Sequence, residues 1–411
     1  MEFIQRKVYL SLKNHLNNPE ISLILGPRQA GKTTLMEKLM QELKQESRPV
    51  VYFNLDVVED YQYFKSQHSL LAQVEKLTGS PLTVVFIDEI HRLKNSGLFL
   101  KGLYDLKTNH KFIVSGSGSL ELKSNIIEPL TGRKRVFYCM PLSFTEFSAS
   151  KLMCQLSQVS TELESNPFVK ERLVEEYLTY GGYPKVVIAK SKEEKIASLS
   201  EIYQSYLEKD IQLILGVEKP NQFDTLFKIV SSQVGNILNK SELSSTTGLD
   251  IKTVEKYLYF LEKTFVISLV KPFYRNARKE LTKMPKVYLN DMGFISMSQG
   301  FSKELTGGVF ENACFLRLQE LELLESVHYW RSRLANVEVD FIITNPKNGE
   351  FIPIEAKIST NLKTASRGIF SFATRYGSKK VFIYNKDLTG STNRNGIEVL
   401  YVPYNQLPLL G

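Results

Sequence analysis

The chain has 411 residues, 43% hydrophobic and 23% charged, which is typical of a globular protein of roughly two to four domains. Its formal net charge of +8 permits contact with nucleic acid or an anionic surface but does not require it. Three scattered cysteines, Cys139, Cys154 and Cys314, exclude a disulfide framework and a zinc site. The N-terminus lacks the apolar core of a signal peptide, and no apolar run approaches the ~20 residues that span a bilayer. We therefore expect a cytoplasmic protein without a membrane partner.

The first motif follows an apolar run from Ile21 to Leu25 and reads GPRQAGKTT. From Leu35 onward the apolar spacing is helical, so strand, glycine loop and helix occur in the order that a P-loop needs. Loop amides and the helix N-terminus favour phosphate. We expect Lys32 to reach the β- and γ-phosphates of ATP, and the Thr33 hydroxyl to bind Mg²⁺. The predicted nucleotide-binding residues are Gly26, Pro27, Arg28, Gln29, Ala30, Gly31, Lys32, Thr33, Thr34 and, from a later strand, Ser115.

The second motif is an apolar run from Thr83 to Ile87 that ends in Asp88 and Glu89. A continuous apolar run is typical of a strand buried on both faces of a parallel sheet, whose C-terminal end is where ligands bind. Alone, such an acidic pair is often a helix cap. Because it follows a P-loop, we expect Asp88 to hold Mg²⁺ and Glu89 to polarise the attacking water.

Two further positions leave alternatives open. A third strand, in HKFIVSGSGSL, ends in Ser115 and Ser117, where a small polar side chain can sense the γ-phosphate or simply form a turn. Arg133 follows Gly132 and is a candidate arginine finger. Equally, it belongs to a surface basic cluster with the next two residues, Lys134 and Arg135.

The series LGPRQAGKTTL, FIDEIHRL, SGSGSLEL, LTGR, PLSFTEF and GGYPKVV resembles the bacterial and archaeal AAA-type ATPases related to the STAND NTPases. The resemblance covers nearly the whole chain. It implies ATP binding, an ATPase core followed by a winged helix, and a C-terminal domain that is similar to PD-(D/E)XK nucleases.

The middle of the chain is predicted to be helical over 151–225, where such ATPases carry a lid. A short helix around Glu242–Thr247 is expected to break at Gly248, and Asp250 to cap a second helix. Two strand-like runs, FVISLVKPFY and KVYLND, follow this pair, which predicts a winged helix-turn-helix. The predicted core stripe of the second helix is Ile251, Val254, Leu258 and Leu261.

The segment between those strands is basic and is a candidate wing for binding DNA phosphates. Its basic residues are Arg275, Arg278, Lys279, Lys283 and Lys286, against the single acid Glu280. The second helix carries lysines and glutamates together, which is poor for reading a groove. A winged helix that only packs against protein remains the alternative.

Near the C-terminus, EVDFIITNPKNGEFIPIEAK predicts a β-hairpin turning at NPKNG. Alternation along the strands lets Asp340, Glu355 and Lys357 converge, and the oxygen ligands suit Mg²⁺ or Mn²⁺. The lysine can then orient water or stabilise a developing oxyanion. The spacing resembles the Asp-x14-Glu-x-Lys pattern of PD-(D/E)XK nucleases, and Glu311 matches the acidic position of their preceding helix. The resemblance thus implies metal ligands at Glu311, Asp340 and Glu355 and catalysis by Asp340, Glu355 and Lys357.

These features predict an α/β, multi-domain chain. The predicted domains are a P-loop ATPase core at 1–150, a helical lid at 151–225, a winged helix-turn-helix at 226–295 and a nuclease-like domain at 296–411. The first functional hypothesis is ATP-gated DNA binding or cleavage. The alternative is a nucleotide-dependent switch or scaffold whose nuclease-like domain is inactive and binds a partner. A homo-oligomer is also open.

Overall fold

The protein is described by a computed structural model over residues 3–117, 130–206, 220–274, 283–301, 304–321, 327–332, 337–362 and 365–407. Along the chain, a parallel sheet is followed by a set of helices and then by a mixed sheet. Within these residues, no helix combines the length and the apolar character needed to cross a membrane.

The first unit is an α/β layer structure around a parallel sheet. Its strands are β1 Ile21–Gly26, β2 Val50–Asn54, β3 Val84–Asp88, β4 Lys111–Ser117 and β5 Lys134–Tyr138. Its helices are α1 Lys7–Asn14, α2 Lys32–Gln45, α3 Val58–Tyr61, α4 Gln67–Thr78 and α5 Ser96–Asp105, with 3₁₀ turns at Gln62–Lys65 and Ile90–Arg92. The strand order is β2-β3-β4-β1-β5, and neighbouring strands are parallel.

Apolar side chains cover both faces of this sheet. Strands β1 and β3 are buried at every position, which for β3 confirms the prediction from its continuous apolar run. Leu23 and Leu25 pack into one apolar cluster and Ile24 into the other, because successive side chains point to opposite faces. Since the strands are parallel, the carboxyl ends of β1, β3 and β4 meet at one edge of the sheet.

Helices then follow in the segment predicted as a lid. They are α6 Phe144–Leu152, α7 Val159–Ser165, α8 Pro167–Tyr180, α9 Pro184–Ile188 and α10 Lys192–Tyr206, with a 3₁₀ turn at Leu156–Gln158. Local sequence explains their limits: Ser143 and Glu146 form a capping box on α6, and Asn166 caps α8 ahead of Pro167. A turn precedes Pro184, since Gly181 ends α8 at φ +74°.

The next segment has the element order expected of a winged helix. It contains α11 Pro220–Ser232, α12 Lys240–Thr247, α13 Ile251–Lys263, β6 Ile267–Val270 and β7 Lys286–Leu289, with β6 and β7 antiparallel. Gly248 adopts φ +67° between α12 and α13, and the Asp250 side chain accepts the Thr253 amide at 3.0 Å. The predicted core stripe is wrong at one position. Ile251 is 46% exposed because it begins the helix beyond the edge of the core.

The described C-terminal part of the chain contains a mixed sheet and three helices. Its elements are α14 Met292–Ser298, α15 Gly307–Gln319, β8 His328–Ser332, β9 Val337–Thr344, β10 Phe351–Lys357, α16 Arg367–Tyr376, β11 Lys380–Asn385, β12 Gly390–Arg394 and β13 Ile397–Pro403. The strand order is β12-β13-β11-β10-β9-β8. The predicted hairpin is confirmed: β9 and β10 are antiparallel, and Gly349 turns at φ +72°.

One apolar cluster links the helical middle of the chain to the C-terminal sheet. It runs from Leu142 to Tyr404 and includes side chains of α6, α8, α13, β7, α15 and β10. Arg317 of α15 is buried within this region, where it donates to the Tyr404 carbonyl at 3.1 Å and pairs with Glu320. The predicted boundaries at 150, 225 and 295 remain predictions, since the buried cluster is continuous across all three of them.

Candidate functional site

The glycine loop lies between β1 and α2, as predicted. Gln29 and Gly31 adopt positive φ values of +60° and +96°, so the loop turns back on itself before α2 begins at Lys32. The first amides of a helix have no carbonyl partner within the helix, and the helix dipole makes its N-terminus electropositive. The loop therefore offers backbone donors suited to a phosphate group.

Lys32 places its charge at the centre of this loop. The side chain is buried, and Nζ donates to the carbonyls of Gly26 at 3.1 Å and Pro27 at 2.8 Å. Burial lowers the pKa of Lys32, and the carboxylates of Glu89 and Asp88 oppose that shift. A buried ammonium beside backbone donors is suited to phosphate oxygens.

Asp88 joins the two predicted motifs. Its Oδ2 accepts the Thr33 hydroxyl at 2.7 Å and the Tyr52 hydroxyl at 3.0 Å. Its other oxygen accepts the Ser115 hydroxyl and the Glu89 amide, the latter at 3.0 Å. Residues from β2, β3, β4 and α2 thus meet around one buried carboxylate. The hydroxyl of Thr33 and the carboxylate of Asp88 are oxygen donors suited to Mg²⁺, so these residues fit that ion.

Glu89 lies next to this carboxylate in the left-handed region, at φ +56°. Its Oε2 is 3.0 Å from Nδ1 of His91. Burial raises the pKa of Glu89, but His91, Lys32 and Arg28 outweigh it and lower the value to about 2. The side chain is therefore an ionised hydrogen-bond acceptor at neutral pH, which is the state that can orient water.

Sequence reasoning missed the residues that brace the phosphate loop. Arg6 is 6% exposed, and its guanidinium donates to the carbonyls of Ala30, at 2.9 Å, and Met140. Nε of Arg6 is 3.3 Å from Oε2 of Glu146. A Cβ added at Gly31 would lie 3.8 Å from Cγ of Pro184. No local sequence signal marks these contacts, because each joins segments that are far apart in the chain.

The structure does not place Arg133 near the phosphate loop of its own chain. Arg133 immediately precedes β5, whose first residue pairs with Ile21, the first residue of β1. Arg133 therefore lies at the amino ends of these strands, whereas the glycine loop lies at the carboxyl end of β1. Its Nε is 2.8 Å from Oδ1 of Asp105 in an exposed ion pair. A role as an arginine finger within this chain is therefore wrong on geometry. A role at the site of another copy stays a prediction.

A second group of predicted residues meets on the C-terminal sheet. Ile354 pairs with Phe341, so the register carried one pair further sets Asp340 opposite Glu355. The Ala356 amide donates to Oδ2 of Asp340 at 2.9 Å. Lys357 Nζ is 3.0 Å from Oε1 of Glu355. The convergence predicted from strand alternation is consistent with this register.

Glu311 of α15 adds a third carboxylate, as the nuclease resemblance implied. Its Oε1 accepts the Tyr288 hydroxyl at 2.6 Å. Burial raises the pKa of Asp340, and Glu311 and Glu355 raise it further, while Lys286 and the Ala356 amide act in the opposite direction. Three carboxylates therefore influence one another at the edge of β9 and β10.

Lys286 was predicted to belong to an exposed basic wing, and the structure corrects this. The residue is 2% exposed, with Nζ 2.9 Å from Glu311 Oε1, 2.6 Å from Glu338 Oε1 and 3.6 Å from Asp340 Oδ1. The reason is strand alternation: Lys286 and Tyr288 share the face of β7 that packs on Glu311. Of the other predicted wing residues, Lys283 is exposed. Arg275, Arg278, Lys279 and Glu280 lie outside the described residues.

The carboxylates around Lys286 do not fit a divalent metal ion in this arrangement. Mg²⁺ and Mn²⁺ need several oxygen ligands close to the ion, and the ammonium already contacts Glu311 and lies near Asp340. Among the described residues, no group of three or more acidic, histidine or cysteine side chains has the geometry of a metal site. The predicted metal site at Glu311, Asp340 and Glu355 therefore stays a prediction that this arrangement disfavours.

A groove of about 560 Å³ lies beside α16 and the β12–β13 turn. Its lining includes Arg367, Arg375, Arg394 and Phe370, and none of its lining residues is acidic. The guanidinium of Arg394 is 5.9 Å from the centre of the Phe370 ring. Ser366 precedes α16 and donates its amide to Glu355 at 3.4 Å, so the helix that lines the groove begins beside the carboxylate cluster.

Comparison with known families divides the chain into three matches. Residues 18–148 match a family described as an AAA domain. Residues 171–305 and 306–405 match two domains of unknown function, DUF8612 and DUF4143. The AAA match contains the loop with Lys32 and the strand ending in Asp88.

Two relatives extend over most of the chain. An uncharacterized protein of Haemophilus influenzae is 26% identical over 410 residues, which is 97% of each chain. An uncharacterized protein of Mycobacterium tuberculosis is 24% identical over 348 residues, 82% of this chain and 71% of the relative.

Solved structures give weaker likenesses. Replication initiator DnaA bound to AMPPCP and single-stranded DNA covers 64% of this chain and 90% of its own, with 16% identity and a TM-score of 0.28. AMPPCP-bound DnaA from Aquifex aeolicus gives 15% identity and a TM-score of 0.27. Scores this low carry no argument about this chain. Residues 18–148, which match the AAA domain, contain the parallel sheet and the glycine loop that leads into α2.

Proposed function

We propose that this protein hydrolyses ATP at the P-loop and uses the nucleotide state as a switch. The observation that carries the proposal is the 2.7 Å hydrogen bond from Thr33 to Asp88. It brings together the residue expected to bind phosphate-linked Mg²⁺ and the carboxylate expected to hold the same ion. The AAA match over residues 18–148 supports the same function.

The residues divide the chemistry of hydrolysis among them. The loop amides and Lys32 bind the phosphates, and Thr33 with Asp88 would hold Mg²⁺, which neutralises charge on the transferred phosphoryl group. Glu89 accepts a hydrogen bond from the attacking water and orients it. Ser115 donates its hydroxyl to Asp88 and so positions this carboxylate. Its proposed role in the reaction is to sense the γ-phosphate.

ATP hydrolysis in Mg²⁺ tests this proposal. Lys32→Ala and Asp88→Asn should each lower kcat about 100-fold or more, because each removes a charge that acts on the phosphoryl group. Lys38→Ala is the matched control: Lys38 lies on the same helix, 3.3 Å from Glu42, and away from the loop. The proposal fails if the wild type hydrolyses no ATP, or if Lys32→Ala is as active as the control.

A contact path supports the switch. Pro184 packs near Gly31 of the loop, and the Gly182 amide donates to Asp291 at 2.7 Å. Asp291 lies two residues beyond β7 and caps α14. Nucleotide that orders the loop should therefore slow amide hydrogen exchange at residues 181–187 and 291–294. Unchanged exchange on adding ATP and Mg²⁺ would contradict the switch and leave ATP hydrolysis untouched.

Binding of DNA is the second candidate, and the groove beside α16 favours it. The forked guanidinium group of arginine can bind two phosphate oxygens, and an aromatic ring such as Phe370 can stack on a base. The helix pair α12–α13 followed by a two-stranded sheet is a further observation in favour, since this is the predicted winged arrangement. Lys240 of α12 is 2.7 Å from Glu255 of α13, so the surface of this helix pair carries both positive and negative side chains.

Fluorescence anisotropy with single- and double-stranded oligonucleotides tests the groove. Arg367→Ala combined with Arg375→Ala should weaken binding about tenfold at low salt and reduce the salt dependence. Arg172→Ala, at an exposed position of α8, is the control and should bind as the wild type does. Equal affinity for the double variant and the control would reject the groove as a DNA site.

Cleavage of DNA by Asp340, Glu355 and Lys357 stays a prediction. The convergence of these side chains favours it, whereas the ammonium of Lys286 among the carboxylates opposes metal binding there. We therefore propose the alternative hypothesis, a nucleotide-dependent switch whose C-terminal domain binds a partner and does not cut DNA. Assembly into a homo-oligomer is likewise a prediction.

A further inference from the structure

Lys286 and the carboxylates around it come from different parts of the chain. The ammonium projects from β7, which forms a two-stranded sheet with β6. Glu311 belongs to α15, and Glu338 and Asp340 belong to β9 of the C-terminal sheet. The cation and its acidic partners thus meet only through tertiary packing between these elements.

The position of the ammonium is closely determined. Nζ lies 2.9 Å from Glu311 and 2.6 Å from Glu338, and the residue is 2% exposed. The Tyr288 hydroxyl donates to the same oxygen of Glu311, at 2.6 Å. A buried ammonium held by carboxylates on two elements is costly to remove, because the remaining charges would be buried without a partner.

Lys286 supplies one positive charge among Glu311, Glu338 and Asp340, in the place where a divalent ion bound by these carboxylates would lie. A metal ion bound by Glu311 and Asp340 would lie close to the ammonium of Lys286, and the two positive charges would repel each other. The remaining carboxylate, Glu355, has its own counterion in Lys357 at 3.0 Å. The carboxylates therefore have protein cations as partners.

From these contacts we infer that Lys286 is a tethered cation that takes the place of a divalent metal ion in the carboxylate cluster. In this arrangement the cluster is closed to metal, and it opens only when β7 moves or the ammonium is removed. The inference rests on the carboxylate cluster proposed for the C-terminal domain and not on ATP hydrolysis. An ordinary buried ion pair makes a different prediction: its loss destabilises the protein and creates no affinity for metal.

Mn²⁺ binding to the nucleotide-free, full-length protein tests the inference, with isothermal titration calorimetry as the measurement. Lys286→Met keeps most of the length of the side chain and removes its charge. We expect it to bind Mn²⁺ about tenfold or more tightly than the wild type. Lys283→Met, three residues away at an exposed position, should bind as the wild type does. Adding Glu311→Gln to Lys286→Met should abolish the gain.

The result stays decisive if the variant is unstable. A metal that replaces the ammonium must stabilise the folded state, so Mn²⁺ should raise the melting temperature of Lys286→Met, or restore its folding, and leave the wild type unchanged. The inference is overturned if Mn²⁺ neither binds to nor stabilises the variant, or if the wild type binds Mn²⁺ equally tightly. ATP hydrolysis by the same proteins shows separately whether the P-loop functions.

Discussion

Asp291 accepts the backbone amide of Gly182 at 2.7 Å, and this bond joins the end of β7 to the turn beside the phosphate loop. The same carboxylate accepts the Gly293 amide at 2.8 Å. The turn allows no larger residue, since a Cβ at Gly182 would overlap the Leu142 carbonyl. One buried side chain thus connects the P-loop surroundings with the strand that carries Lys286.

Replacing Asp291 with alanine should destabilise this junction. The change leaves the Gly182 and Gly293 amides buried without an acceptor, at a cost of about 1–3 kcal/mol each in the free energy of unfolding. Because the turn borders the phosphate loop, ATP hydrolysis should fall as well. Urea unfolding followed by circular dichroism, together with an ATPase assay at a temperature where the variant is folded, measures both effects.

Asp291→Asn is the matched control for that change. Burial raises the pKa of Asp291 to about 7, against the backbone hydrogen bonds that favour the charged form. The amide oxygen of asparagine keeps an acceptor without a charge, so this variant should retain most of the stability and activity. An alanine variant as stable as the asparagine variant would contradict the role assigned to these hydrogen bonds.

His15 should make the stability of the first unit dependent on acid pH. Its Nδ1 is 3.2 Å from the ammonium of Lys111 and 2.9 Å from the Ser22 hydroxyl. An ammonium can only donate, so Nδ1 carries a lone pair and the ring is neutral. Burial lowers the pKa of His15 to about 4; Lys111 and Arg135 also lower it, and Glu20 opposes them.

The sign of the pH effect follows from this neutral ring. Between pH ~6.5, the ordinary histidine value, and about 4, the unfolded chain binds a proton that the folded chain does not. Stability should therefore be complete above pH ~6.5 and decline as the pH falls through this window. His15→Asn keeps an acceptor and cannot titrate, so its unfolding free energy should decline less. Parallel pH profiles for both proteins would contradict the assignment.

Arg6 should contribute to both folding and nucleotide affinity. Arg6→Ala removes the donor to Ala30 in the loop and leaves Glu146 without its buried partner. Breaking a buried pair from one side costs about 3–5 kcal/mol of stability. Arg6→Lys keeps the charge but loses the forked geometry, so it should recover only part of the stability. Chemical denaturation and binding of a fluorescent ATP analogue measure the two effects. If Arg6→Ala binds the analogue as tightly as the wild type does, Arg6 does not support the phosphate loop in the way proposed.

The positions of the glycine loop and of Asp88 were predictable because their signals are local. The spacing from Gly26 to Thr33 and the apolar run before Asp88 each specify a strand and its end, and parallel pairing brings those ends together. Strand alternation likewise sufficed to place Asp340 and Glu355 across a hairpin. The contact of Ser115 with Asp88 also follows from their positions at neighbouring strand ends.

The contacts that sequence reasoning missed depend on packing between distant segments. In the sequence, Lys286 follows a run of basic residues, and no neighbouring residue indicates that α15 and β9 pack against β7. Arg133 follows a glycine, as a finger residue can, but the register of β5 with β1 sets it at the amino ends of these strands. Arg6 lies outside every motif and reaches the loop only because the N-terminal segment packs beside it.

The most direct test of the account is the turnover of ATP by Glu89→Gln. Because the proposed role of Glu89 is to orient the attacking water and not to bind nucleotide, the variant should bind ATP within about threefold of the wild type. Its kcat should fall about 100-fold or more, as expected for loss of a general base. Nucleotide affinity by calorimetry and phosphate release in Mg²⁺ give the two numbers. Turnover equal to that of the wild type would contradict hydrolysis at this site by the mechanism proposed.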